Sequence, residues 1–166
     1  MFTLGIIIAS DKGYKGERID KSGKIIKEIM ENNYYITKKY TILPDEQEIL
    51  EKEMIHMCDN LGLDLILTSG GTGFSKRDIT PEATLNVVER LAPGISEAIR
   101  YKSLQITPRA MLSRAVSGIR KNTLIINLPG SPKAVSEILD FIIPSLSHGL
   151  EILKGTSSEC AKEKEN

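Results

Sequence analysis

Two aspartates, Asp45 and Asp78, stand among glycines and cations in a pattern suited to holding phosphate and a divalent cation. Asp78 belongs to the segment Thr68–Thr84, TSGGTGFSKRDITPEAT. There Gly70, Gly71 and Gly73 permit positive φ and close backbone approach, so peptide N–H groups can reach an anion. Arg77 offers a cation for phosphate oxygens, and Asp78 a carboxylate for Mg²⁺. Magnesium keeps several waters and asks a protein for one or two carboxylates, which Asp45 and Asp78 would supply. Each residue also has a structural alternative. Asp45, in Leu-Pro-Asp-Glu, suits a helix N-cap with Glu48 completing a capping box, and Asp78 suits a cap or a pair with Arg77. The string is neither a Walker A loop, since no Lys-Ser/Thr follows the last glycine, nor G-x-G-x-x-G, since Lys76 occupies the third glycine position.

The elements around these residues alternate between strand and helix. Leu4–Ala9 reads as a buried strand, followed by the polar loop Ser10–Arg18 and a helix from Asp20 or Ser22 with apolar Ile25, Ile26, Ile29 and Met30. Tyr34–Leu43 is a second strand, Ile49 to Leu61 a helix stopped at Gly62, and Leu63–Leu67 a third strand. Thr80 is expected to cap the next helix, with Pro81 at its first position and Ala83, Val87 and Leu91 on its apolar face. A shorter helix spans Ile95–Leu104, and Pro108 excludes a regular element around it. Strands are expected at Arg114–Ile119 and Thr123–Leu128, then the loop Pro129-Gly130-Ser131-Pro132. Ala134–Ile143 is helical, and Pro144 is expected to separate it from a last helix bearing Leu146, Leu150 and Leu153. The fold class is therefore α/β, three layers around a mainly parallel sheet, whose loops converge at the carboxyl edge. Residues 1–153 are expected to form one domain, and 154–166 a polar tail expected to fray or be disordered.

Length and charge narrow the function further. A chain of 166 residues buries a substantial core. Basic and acidic residues balance at 22 each, which gives no field favouring nucleic acid. No run reaches the ~20 apolar residues of a membrane span. Cys58 and Cys160 lie far apart without metal spacing, and the expected setting is the reducing cytoplasm. His56 and His148 are assigned no role.

As a complete string, Thr68–Thr84 closely resembles the signature of the molybdenum cofactor biosynthesis family, the MogA/MoaB proteins and the equivalent domain of gephyrin. The similarity runs from about Leu4 to Leu153 through Ser10-Asp11, Pro44-Asp45-Glu46, Leu112-Ser113-Arg114 and Asn127–Lys133, NLPGSPK. The Pro-Asp-Glu and Asn-Leu-Pro-Gly-x-Pro-Lys pieces look like MogA or the gephyrin domain rather than MoaB. This resemblance implies a homotrimer that transfers AMP from ATP to the terminal phosphate of molybdopterin, with Mg²⁺ as cofactor. Its two active-site aspartates fall on Asp45 and Asp78. The implied substrate and nucleotide contacts are Ser10, Asp11, Ser69, Gly70, Gly71, Thr72, Gly73, Arg77, Ser113, Arg114, Pro129, Gly130, Ser131 and Lys133. Other proteins of molybdenum cofactor biosynthesis stand as further partners. The resemblance is weakest over Ser10–Arg18 and assigns no contact to Gly16, Glu17 or Arg18. The alternative is a MoaB-like protein that binds molybdopterin, or acts as a trimeric scaffold, without catalysis.

Overall fold

The computed structural model describes residues 1–156, and the greater part of the expected polar tail lies outside the described residues. The chain runs β1 (Phe2–Ala9), α1 (Asp11–Tyr14), α2 (Ser22–Asn32), β2 (Tyr35–Leu43) and α3 (Gln47–Ile55). It continues through a π-helical turn (His56–Asn60), β3 (Leu65–Ser69), α4 (Thr80–Val87), β4 (Arg90–Leu91) and α5 (Pro93–Leu104). A 3-10 turn (Pro108–Leu112), β5 (Ser117–Arg120), β6 (Thr123–Leu128) and α6 (Pro132–Leu153) complete it. The sheet order is β2-β1-β3-β6-β5-β4. The first four of these strands are parallel, and β5 pairs antiparallel with both β6 and β4.

The period of two along the strands builds both faces of the core. Leu4, Ile6 and Ile8 of β1, with Leu65 and Leu67 of β3, pack against Ile26 and Met30 of α2, Ile99 of α5 and the apolar stripe of α6. Ile7, Ala9 and Ile66 face the other way, onto Leu50 and Met54 of α3, Met57 and Cys58, and Ala83 and Val87 of α4. Helices thus cover both faces of a sheet whose central strands are buried throughout. The path from β1 turns through α2 to β2 on one side, while β3 lies on the other side of β1. Ligand crevices in open α/β sheets form at such a reversal, outside the carboxyl ends of the strands.

At the opposite, amino edge, Asp64 accepts hydrogen bonds from Thr3 N at 2.7 Å and Thr3 Oγ1 at 2.9 Å. Lys154, just past α6, meets the same carboxylate at 2.8 Å and lies 5.6 Å from the Phe2 ring centre.

Several expected boundaries differ. The strand expected at Arg114–Ile119 runs Ser117–Arg120, and a 3-10 turn begins at Pro108, whose ring is tolerated at a first helical position. Pro144 lies inside a continuous α6 rather than between two helices. Proline in a helix interior costs about 3 kcal/mol, but Ile142, Ile143, Leu146 and Leu150 on the buried stripe each return about 1.5–3 kcal/mol. Pro144 itself is exposed, so its ring disturbs the wet side. Leu91 does not extend α4, which ends at Val87; it is 60% exposed and sits in β4, paired with Gly118.

Candidate functional site

The glycine loop starts where β3 ends. Gly70 and Gly71 both have positive φ, +97° and +64°. A Cβ on Gly70 would overlap the Ala9 carbonyl oxygen of β1, so only glycine lets the loop cross its neighbour strand this closely. Thr80 does not cap α4 through its side chain; its hydroxyl donates to Gly70 O at 2.9 Å, and its N–H to Gly71 O at 3.1 Å. The second loop is tied to the first. Ser69 Oγ donates to Pro129 O and Ser22 Oγ to Gly130 O, both at 2.8 Å. A Cβ on Gly130 would stand 3.4 Å from Gly70 Cα. Between these loops and the segment after β1 opens a cleft of about 680 Å³, lined by residues that include Ser10, Asp45, Ser69, Gly70, Gly71, Asp78 and Gly130.

Asp45 reaches that cleft because it is not a helix cap. The N-cap of α3 is Glu46, with no side-chain hydrogen bond. Asp45 instead forms a reciprocal pair with Asp11: Asp11 N donates to Asp45 Oδ2 at 2.9 Å, and Asp45 N to Asp11 Oδ1 at 3.1 Å. Arg77 closes the far side of Asp11 through two bonds, Nε to Oδ2 at 3.0 Å and the terminal nitrogen to Oδ1 at 2.8 Å. The Arg77 guanidinium holds the Asp11 carboxyl below the usual range. Burial pushes Asp45 upward, and the charges of Asp11 and Asp78 add to the push. Asp78 Oδ2 accepts from Ser75 N at 2.9 Å. The remaining carboxylate oxygens, Oδ1 of Asp45 and of Asp78, have no hydrogen bond among the described residues. Two mutually repelling carboxylates, each with one open oxygen, are a donor set that a divalent cation relieves. No group of three metal-ligating side chains occurs among the described residues, so such a cation would keep most of its waters. On the far side of Asp45 lies a second hollow of about 490 Å³ with Lys52, Lys76, Arg77 and Ile79 in its wall.

The expected cations are placed differently. Arg77 is committed to Asp11. Arg114 braces the glycine loop, donating to Gly73 O at 2.7 Å and Asp78 O at 2.5 Å and pairing with Glu82. Lys133, 83% exposed, lies 3.9 Å from Glu137 on α6. None of the three lines the cleft, nor do Asp11, Thr72, Gly73, Ser113, Pro129 or Ser131. Thr72 is buried with its carbonyl on Arg114 N at 2.9 Å, and Ser113 N bonds Ala110 O at 3.1 Å. Asn127 is a fully buried brace that binds Thr68, Thr84 and Val116 N.

The segment after β1 contributes what the sequence reading passed over: Glu17, Arg18, Ile19, Lys21 and Ser22 line the cleft. Asp20 is there too, held by Gly23 N at 3.0 Å and by the Tyr40 hydroxyl. The signal for them was available, since the whole segment follows a buried strand at the edge where the loops converge.

Residues 5–148 match the family described as "Probable molybdopterin binding domain". The chain belongs to this family. A molybdopterin adenylyltransferase of Helicobacter pylori (strain J99) is 43% identical over 155 residues, which are 92% of this chain and 88% of that one. Gephyrin of Dictyostelium discoideum is 41% identical over 90% of this chain, a match that spans 22% of gephyrin's own length. The molybdopterin biosynthesis enzyme MoaB of Thermus thermophilus superposes with a TM-score of 0.88 at 45% identity, covering 93% of this chain and 98% of that one. The mainly parallel three-layer architecture expected above is the architecture found. No helix among the described residues is long and apolar enough to cross a membrane.

Proposed function

We propose that this protein is a molybdopterin adenylyltransferase that transfers AMP from ATP to the terminal phosphate of molybdopterin. The observation that carries the reading is the pairing, at one sheet edge, of two open carboxylate oxygens with two glycine loops that touch each other. In the reaction an oxygen of the molybdopterin phosphate attacks the α-phosphorus of ATP. A new P–O bond forms, the bond from that phosphorus to the β-phosphate bridge breaks, and pyrophosphate leaves with the electron pair. The attacking phosphate is already an anion, so no Ser, Cys or His nucleophile is needed. The protein's work is to bring two anions together in line and to hold them.

The N–H groups of Gly70, Gly71 and Gly130, which line the cleft, would supply donors without adding bulk. Asp45 and Asp78 would hold Mg²⁺, which when bound offsets charge on the phosphates. Asp45 borders both hollows, which suits a residue shared between two ligands. We further assign the protein to the cytoplasm and to a homotrimer. The exposed apolar side chains Tyr101, Leu104, Ile106 and Phe141 on and near α5 and α6 support assembly. A monomeric mass in sedimentation would remove that part of the reading.

The test is pyrophosphate release from ATP and Mg²⁺, with and without molybdopterin, in wild type and Asp78→Asn. Release that requires molybdopterin and is lost in a folded Asp78→Asn supports transfer. Molybdopterin binding without release by the wild type would favour a non-catalytic scaffold.

A further inference from the structure

We infer that Arg18 and Lys21 form the cationic clamp of the cleft and hold the departing pyrophosphate end of the triphosphate. This deepens the adenylyltransferase reading and rests on it. The cleft must take an oligophosphate, yet its wall carries four carboxylates, Glu17, Asp20, Asp45 and Asp78. Arg18 and Lys21 are the only cations among its lining residues. Both side chains are exposed, and neither has an ion pair or hydrogen bond among the described residues. Arg77 and Arg114, by contrast, are each held by a carboxylate and cannot turn to a ligand without abandoning it.

The backbone beneath the clamp is fixed while its side chains are free. Asp20 is anchored by Gly23 N and Tyr40, and Ser22 is anchored to Gly130 O. Lys21 therefore stands between two tethered residues, with Arg18 just before them, opposite the glycine loops. Arg18 supplies a planar fork for two oxygens and Lys21 a compact charge, a combination suited to adjacent phosphates. Pyrophosphate carries more charge than any group left behind, so it gains most from two unpaired cations.

The experiment compares Arg18→Gln, Lys21→Gln and the double variant with Lys24→Gln, an exposed charge change on α2 outside the cleft lining. Calorimetric titration with inorganic pyrophosphate in Mg²⁺ buffer reads the clamp directly, and thermal melts check folding. Each clamp substitution is expected to weaken binding about tenfold, the double variant more, and Lys24→Gln less than about twofold. The KM for ATP in pyrophosphate release is expected to rise in the same order. Clamp variants that bind pyrophosphate as Lys24→Gln does, or a wild type that does not bind it, overturn the assignment. A wild type that binds pyrophosphate in a clamp-dependent way but never releases it from ATP would sink the transferase reading and leave the clamp standing.

Discussion

Glycine to alanine is the same chemical change at Gly70 and Gly149, and the structure gives it opposite signs. Gly70 has φ +97°, and the added Cβ would meet the Ala9 carbonyl oxygen, a backbone atom of the neighbouring strand. An L-residue in left-handed backbone costs about 1–2 kcal/mol. Forcing a methyl into an occupied space costs about 1–3 kcal/mol more, and here the obstacle cannot rotate away. Gly70→Ala should therefore lose about 2–5 kcal/mol, a large share of the 5–15 kcal/mol that holds a domain folded. Gly149 is helical and exposed, and its added Cβ would meet nothing within 4 Å. Gly149→Ala should gain about 0.5–1 kcal/mol by restricting the unfolded chain and favouring helix. Urea unfolding followed by circular dichroism reads both. At a mid-range slope of about 2 kcal/mol per molar, the Gly70→Ala midpoint should fall by about 1–2.5 M, while that of Gly149→Ala rises slightly. Equal midpoints for the two variants, or a Gly70→Ala protein within about 0.5 kcal/mol of wild type, would refute the close-crossing argument.

Two further outcomes are expected from the Asp11–Asp45–Arg77 brace. Because burial raises Asp45 above its ordinary value of 3.8, the native state holds the proton more tightly than the unfolded chain. The stability of wild type relative to Asp45→Asn should therefore fall as pH rises from 3.8 through the raised native value, and stay level on either side. Urea unfolding of both proteins between about pH 3.5 and 6.5 checks this, and a difference that grows in the opposite sense would contradict the assigned shift. Arg77→Gln removes two bonds from Asp11 while leaving the buried core untouched. Its unfolding midpoint should fall only slightly, since the pair is partly exposed, whereas turnover should drop about tenfold or more as Asp45 loses its fixed position. A variant with normal turnover would show that the brace does not hold the carboxylate.

What the sequence disclosed, and what it hid, follows from how far each signal reaches along the chain. The apolar runs of β1 and β3 and the glycine loop between β3 and α4 are local patterns, and they hold in the structure. Asp45 and Asp78 were legible as candidates, but not the reason Asp45 is spared from capping α3. That reason is Asp11, 34 residues away in sequence, which takes its carboxylate and backbone into a reciprocal pair. The surroundings of the cations were hidden for the same reason. Nothing near Arg114 in sequence announces Glu82 as its partner, whereas Arg18 and Lys21 look like ordinary solvated charges until the loops are brought together. Pro144 shows the limit of local punctuation, since the buried stripe of α6 outweighs the break that proline alone would make.

The clasp of Asp64, Thr3 and Lys154 has a practical side. It fastens the end of the last helix to the edge where the parallel strands begin, while the cleft opens where they finish. A dye or surface linker fixed at Gly155 or Thr156 would therefore sit at the rear of the molecule, while substrates enter at the front.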